Sequence, residues 1–100
     1  MLRHVVMFKF VDDLDAGAVD AMSAALDELP DQIEVIRRYR HGPDLGLNEA
    51  NFDYVVVADF DDEAGFASYR DHDVHRAFIR EHIADNVASR VAVQYAVTDA

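Results

Sequence analysis

The sequence predicts an α+β domain in which a four-stranded antiparallel sheet carries its helices on one face, and three observations point there. Segments rich in β-branched and aromatic residues recur at "RHVVMFKFV", "EVIRRYRHG", "FDYVVVADF" and "RVAVQYAV". The stretches that follow the first and third of these carry apolar residues at helical spacing instead. The resulting order, β-α-β-β-α-β, is the split βαβ or ferredoxin-like arrangement, whose single helical layer leaves the opposite sheet face bare.

Each element has its own signal. Alternation in the first strand puts His4, Val6, Phe8 and Phe10 on one face and Val5, Met7 and Lys9 on the other. In "DDLDAGAVDAMSAALDELP" an Asp-rich start suits capping, Ala18, Val19, Met22, Ala25, Leu26 and Leu29 share a helical face, and Pro30 is expected to stop the helix. "EVIRRYRHG" carries Val35, Ile36 and Tyr39 and ends at Gly42-Pro43, which reads as an edge strand followed by a loop. The unbroken "YVVV" of the third strand predicts burial on both faces. Asp61 and Asp62 then cap a short helix through Tyr69, a second helical segment runs from about Val74 to Val87, and the fourth strand closes the chain.

The bare face is predicted to hold Val5, Met7, Val55, Val57, Ala92 and Ala96, with Lys9, Asp59 and Gln94 as its polar members. An apolar surface of that extent calls for a partner, and the simplest is a second copy packed sheet to sheet about a two-fold axis. A chain of 100 residues builds one core, so a single domain over 1–100 is expected.

Composition bounds the chemistry. Twenty acidic against nine basic side chains give a net charge of −11, which argues against nucleic acid or an anionic membrane surface as a partner. The absence of cysteine removes disulfides, thiolate metal sites and a cysteine nucleophile. "MLRHVVMFKF" has two basic residues inside a short apolar run and no small-residue cleavage site, and no apolar run reaches the roughly 20 residues that span a bilayer. The expected location is the cytoplasm.

The stretch "YRDHDVHRAFIREH" holds three of the five histidines. At about 100° per residue, His75, Phe78, Ile79 and His82 fall within an arc of roughly 100°, so the face turned toward the protein centre is half imidazole. Buried histidine needs a hydrogen-bond partner or an aqueous pocket. His4, Val6 and Phe8 on the first strand face the same layer, and Tyr54 and Tyr69 can supply hydroxyls. One reading is a mostly apolar ligand pocket lined by these residues, with imidazoles that move protons near neutral pH and phenols that donate to an oxyanion. The competing reading is a set of core histidines satisfied by hydrogen bonds.

Other chemistries find less support. His72 and His75 have the spacing of shared metal ligands, but His82 lies about 10.5 Å from His75 along a helix axis, too far for the same ion. Ser23, Ser68, Ser89 and Thr98 have no nucleophile-elbow context, and the four glycines form no phosphate loop. Neither a metal nor a cofactor is expected.

Over nearly its whole length the chain resembles the Dabb family of stress-responsive dimeric α/β-barrel domains. The matching passages are "RHVVMFKF", the "LP…I…Y…G" run from Leu29 to Gly42, "FDYVVVADFDDEAGFASY" and "HDVHRAFIREHI". The resemblance implies a ferredoxin-like monomer that dimerises through its sheets into a barrel. Most members have no assigned activity, while those similar to the plant polyketide cyclase olivetolic acid cyclase carry out an intramolecular aldol condensation with a histidine and a tyrosine. By motif those roles fall on His75 and Tyr69, and the N-terminal strand histidine falls on His4. This chain departs in two places, with Asp73 where "HPAH" has proline and Tyr54 where the cyclase has a histidine, so the cyclase's substrate is not carried over. The implied function is binding of a small apolar carbonyl compound with His/Tyr acid–base chemistry; the alternatives are a non-enzymatic stress-responsive or ligand-binding dimer and a haem- or quinol-type monooxygenase.

Overall fold

The computed structural model describes residues 1–98 and arranges them as β1 (Leu2–Phe10), α1 (Ala18–Gln32), β2 (Arg38–Pro43), β3 (Tyr54–Phe60), α2 (Glu63–Asp71), α3 (Asp73–Phe78) and β4 (Val87–Ala96). Between α3 and β4 the chain makes a π-helical turn, Ile79–Ile83. The four strands form one antiparallel sheet in the order β2-β3-β1-β4, the ferredoxin-like topology that the element order predicts.

Register fixes the two faces. Val6 pairs with Val56 and Ala92, Phe8 with Tyr54 and Arg90, and His4 with Ala58 and Gln94, all toward the helices. The outer face carries Val5 with Val57 and Val93, Met7 with Val55 and Val91, and Arg3 with Asp59 and Tyr95. Ala92, Gln94 and Ala96 therefore lie on the inner face, contrary to the expectation from sequence. In "VASRVAVQYA" the polarity contrast is inverted: Arg90 and Gln94 share the parity of Ala92 and line the helix-facing side, while Val91, Val93 and Tyr95 point outward, and exchanging the two parities exchanges the faces of the whole strand. The correction makes the outer face more apolar, because Val91, Val93 and Tyr95 replace two alanines and a glutamine and are 43%, 55% and 47% exposed.

The core lies between the inner face and α1. Val6, Phe8, Val56 and Phe60 meet Met22, Leu26 and Leu29, with Ile33, Tyr69, Phe78 and Ile83 closing the layer. The unbroken "YVVV" splits within the single chain: Tyr54 and Val56 are buried, while Val55 and Val57 are partly exposed on the outer face.

Helix ends differ from expectation in several places, and the last helical segment ends at Ile83 rather than at Val87, which begins β4. No Asp side chain caps α1; Gly17 occupies the N-cap at φ 89°, a left-handed conformation that glycine adopts without a Cβ clash. Pro30 does not stop the helix. It removes one backbone donor near the end, and α1 runs on to Gln32 with Ile33 N–H bonded to the Leu29 carbonyl at 2.9 Å. Val35 and Ile36 precede β2 rather than joining it. At α2 the cap is Asp62, whose Oδ1 accepts from Gly65 N–H at 2.8 Å, while Asp61 pairs with Arg37. Among the described residues no helix is long and apolar enough to cross a membrane.

Candidate ligand-binding site

Between the inner face of β1 and β4 and the segment from α2 through the π-turn lies a cavity of about 840 Å³, within the range of small-molecule sites. Its interior is apolar, with Val6 and Phe8 from β1, Leu26 from α1, Val56 from β3, and Phe78 and Ile83 from the helical segment. The polar groups are His4, Tyr39, Tyr69, His75 and Gln94, and four arginines also line it. The cavity is open on the side of β4, which packs on β1 and is exposed along nearly its whole length.

His75 sits in α3 with its ring 4.2 Å from the Tyr69 ring, centroid to centroid. Its Nδ1 lies 3.1 Å from the Arg70 carbonyl. A carbonyl only accepts, so Nδ1 carries the proton and the Nε2 lone pair is left free. Among the described residues no buried side-chain nitrogen or oxygen lacks a partner. The unpartnered Nε2 is therefore an atom that solvent or a ligand can reach. Burial lowers the His75 proton affinity below that of ordinary imidazole, against the opposing pull of the Arg70 carbonyl, and the ring is neutral at physiological pH.

Tyr69 is buried, and its hydroxyl lies 2.8 Å from the Tyr39 hydroxyl. Burial raises the proton affinity of both phenols, Tyr69 to about 12 and Tyr39 further, so both stay protonated. His4, 5% exposed, accepts at Nδ1 from Gln94 Nε2 at 2.8 Å, which places its proton on Nε2. Burial, followed by the Arg90 and His75 charges, brings His4 down from 6.5 to about 4.

A second network occupies the other end of the inner face. His41 in β2 lies 2.7 Å from Asp27 Oδ1 through Nε2 and 2.7 Å from the Tyr54 hydroxyl through Nδ1, and Tyr54 donates to Ser23 Oγ at 3.0 Å. Both imidazole nitrogens are engaged by protein.

The structure thus brings His4, Val6, Phe8, Tyr69, His75, Phe78 and Ile79 together around the cavity. It does not bring Tyr54 or His82 there. Tyr54 belongs to the His41 chain. His82 falls outside because the π-turn, closed by Ala84 N–H to the Ile79 carbonyl at 2.9 Å, is wider than an α-turn and advances side chains by a smaller angle than the assumed 100° per residue. His82 instead lies tilted against Phe78, ring centroids 5.4 Å apart, with its Nε2 3.9 Å from Glu81 Oε2. His72, considered as a ligand with His75, caps α3 by accepting from Val74 N–H at 3.1 Å. Among the described residues no group of three or more His, Asp or Glu could hold a metal ion.

Sequence reasoning missed Tyr39, Gln94 and the arginines. Tyr39 carries a usable signal, since inward alternation on an edge strand next to β3 puts it opposite Ala58, one step from His4.

Comparison with known proteins agrees with this fold. A dimeric ferredoxin-like protein of unknown function from Thermobifida fusca is 43% identical at a TM-score of 0.88, the match covering 96% of this chain and 90% of that one. A second dimeric ferredoxin-like protein of unknown function, from Bacteroides fragilis, is 26% identical at a TM-score of 0.84, covering 94% and 93%. Hydroxynitrile lyase from Passiflora edulis has a TM-score of 0.84 at 19% identity, covering 99% and 94%, a likeness of fold alone. No curated protein matches the chain. The stress responsive A/B barrel domain model, Dabb, matches residues 2–97, and the chain belongs to that family.

Proposed function

We propose that the protein is a homodimer whose cavity binds a small, largely apolar carbonyl compound, with His75 as general base and Tyr69 as hydrogen-bond donor to the carbonyl oxygen. The observation that carries this reading is the free Nε2 of His75, a neutral imidazole held by the Arg70 carbonyl beside a protonated phenol in an apolar cavity. If Tyr39 donates to Tyr69, the Tyr69 hydrogen is left for the ligand. His75 then takes a proton from the carbon next to the carbonyl, the electron pair moves onto the carbonyl oxygen, and Tyr69 stabilises the enolate. His4 supplies a further N–H toward the same space.

A thermal-shift screen of apolar ketones, aromatic ketones and β-keto chains tests the reading, followed by binding and turnover on His75→Ala and Tyr69→Phe. Hits that bind both variants as well as the parent contradict the site. Hits that lose binding without any parent turnover make the protein a binding module, the second reading, since an apolar cavity of this size serves either role.

The homodimer rests on the outer face and on the dimeric relatives. Val5, Met7, Val55, Val57, Val91, Val93 and Tyr95 form an apolar surface bordered at one end by the Arg3–Asp59 pair and at the β2 edge by Arg40. Analytical ultracentrifugation at micromolar concentration is expected to give a dimer, and Val57→Lys, which puts a charge into the contact, a monomer or an unfolded chain. A monomeric parent contradicts the interface.

A further inference from the structure

Four of the nine lysine and arginine side chains line the cavity: Arg70, Arg76, Arg80 and Arg90. Among the described residues none of the acidic side chains does, although the chain has twenty. Arg70 is held by Asp71 through two hydrogen bonds of 3.0 Å. Arg76, Arg80 and Arg90 form no ion pair among the described residues, and all three are exposed. In a chain with eleven excess negative charges, three unpaired guanidiniums around one opening are the reverse of the overall distribution. Like charges gathered at a concave site raise the local concentration of counter-ions, and guanidinium binds carboxylate through two parallel hydrogen bonds.

We propose that the ligand is an organic acid, its apolar chain against Phe8, Leu26 and Phe78 and its carboxylate at the rim formed by Arg76, Arg80 and Arg90. This rests on the reading of the cavity as a ligand site and narrows it from apolar carbonyl compounds to those that also carry an anionic end. The three cations come from both walls of the opening. Arg76 and Arg80 stand one turn apart on the helical side, and Arg90 stands on β4 opposite Phe8. An anion held between them fixes which way round the chain enters. Burial leads the proton-affinity shifts of His4, His75 and Tyr69, but the Arg90 charge acts on all three, so its field covers the reacting end as well.

The test is isothermal titration calorimetry of octanoate against methyl octanoate, equal in chain and differing in charge, at about pH 8 where ordinary imidazole is neutral. The parent is expected to bind octanoate about tenfold or more tightly than the ester, and added salt should weaken octanoate alone. Arg76→Gln, Arg80→Gln and Arg90→Gln are each expected to reduce the preference without changing ester affinity. Arg37→Gln removes the same charge far from the cavity, in the pair with Asp61, and should leave the preference intact. Equal affinity for the two compounds, or a preference untouched by all three rim variants, overturns the anionic ligand while ester binding keeps the cavity as a site. Binding of neither compound overturns the cavity reading and the anion with it.

Discussion

The inner face of the sheet carries two histidine–tyrosine networks, and they differ in what they leave free. Around His41 every hydrogen-bonding group has a protein partner: Asp27 takes one ring nitrogen, Tyr54 the other, and Ser23 takes the Tyr54 hydrogen. Around His75 one nitrogen is held by the Arg70 carbonyl and the other faces a cavity, with Tyr69, Tyr39 and His4 in the same wall. Both sets are rich in imidazole and phenol, so residue type does not separate them. The closed chain ties α1 to the edge strand β2; the open set holds its groups in place and keeps one lone pair available. Fixed, half-satisfied groups beside an apolar cavity are the arrangement that catalysis or binding needs.

The largest difference between the two networks is expected in chemistry. Where a parent turnover is measured, His75→Ala should lower it by about 100-fold or more, and His41→Ala should leave it within the scatter of the assay. Equal losses in the two variants would erase the distinction.

Stability should show the converse. Removing His41 leaves Tyr54 and Asp27 without their shared partner, so His41→Ala is expected to cost about 1–3 kcal/mol in urea unfolding, whereas His75→Ala, whose single protein bond lies at the cavity edge, should cost less. Tyr54→Phe tests the same chain from its centre and should destabilise without affecting ligand binding.

Acid should act on the open set through His4. His4 is held neutral, its value brought down from 6.5 to about 4 by burial and by the Arg90 and His75 charges. The unfolded chain takes up this proton at a higher pH than the folded one. The stabilisation is therefore complete above about 6.5 and declines as pH falls through the window down to about 4. Thermal unfolding across that window should show the slope, and His4→Gln should flatten it; an unchanged slope would mean that other groups govern acid unfolding. The smallest effect is expected for Tyr39→Phe, which removes one hydrogen bond to Tyr69 and should weaken ligand binding or turnover by about 0.5–1.5 kcal/mol.

Much of this was legible in the sequence. Strand and helix periods located the elements, and β1 assigned its faces correctly because His4, Val6 and Phe8 alternate with Val5, Met7 and the polar Lys9 on the other side. β4 failed because its polarity contrast is inverted, with Arg90 and Gln94 on the inner face and Val91, Val93 and Tyr95 on the outer one. His75 and Tyr69 were visible as neighbours in one short segment. His82 was misplaced because a helical wheel assumes one pitch and the chain changes pitch after Phe78. The His41 chain was invisible for a different reason: Asp27, His41 and Tyr54 are brought together only by sheet order and by the packing of α1, which no local period encodes. Arg76 and Arg80 were missed because the helical wheel that gathers His75, Phe78, Ile79 and His82 turns them to the other side, and Arg90 because net charge says nothing of which side chains share a wall.

In the proposed reaction His75, held neutral with Nε2 free, removes a proton from carbon beside a bound carbonyl. Proton NMR of acetophenone in heavy water measures that step directly, because each removal and return exchanges a methyl hydrogen for deuterium whether or not a full substrate is known. Exchange is expected to be faster than in buffer with the parent protein, lost with His75→Ala, reduced with Tyr69→Phe and kept with His41→Ala. Exchange no faster than in buffer, or acceleration that survives His75→Ala, would contradict it.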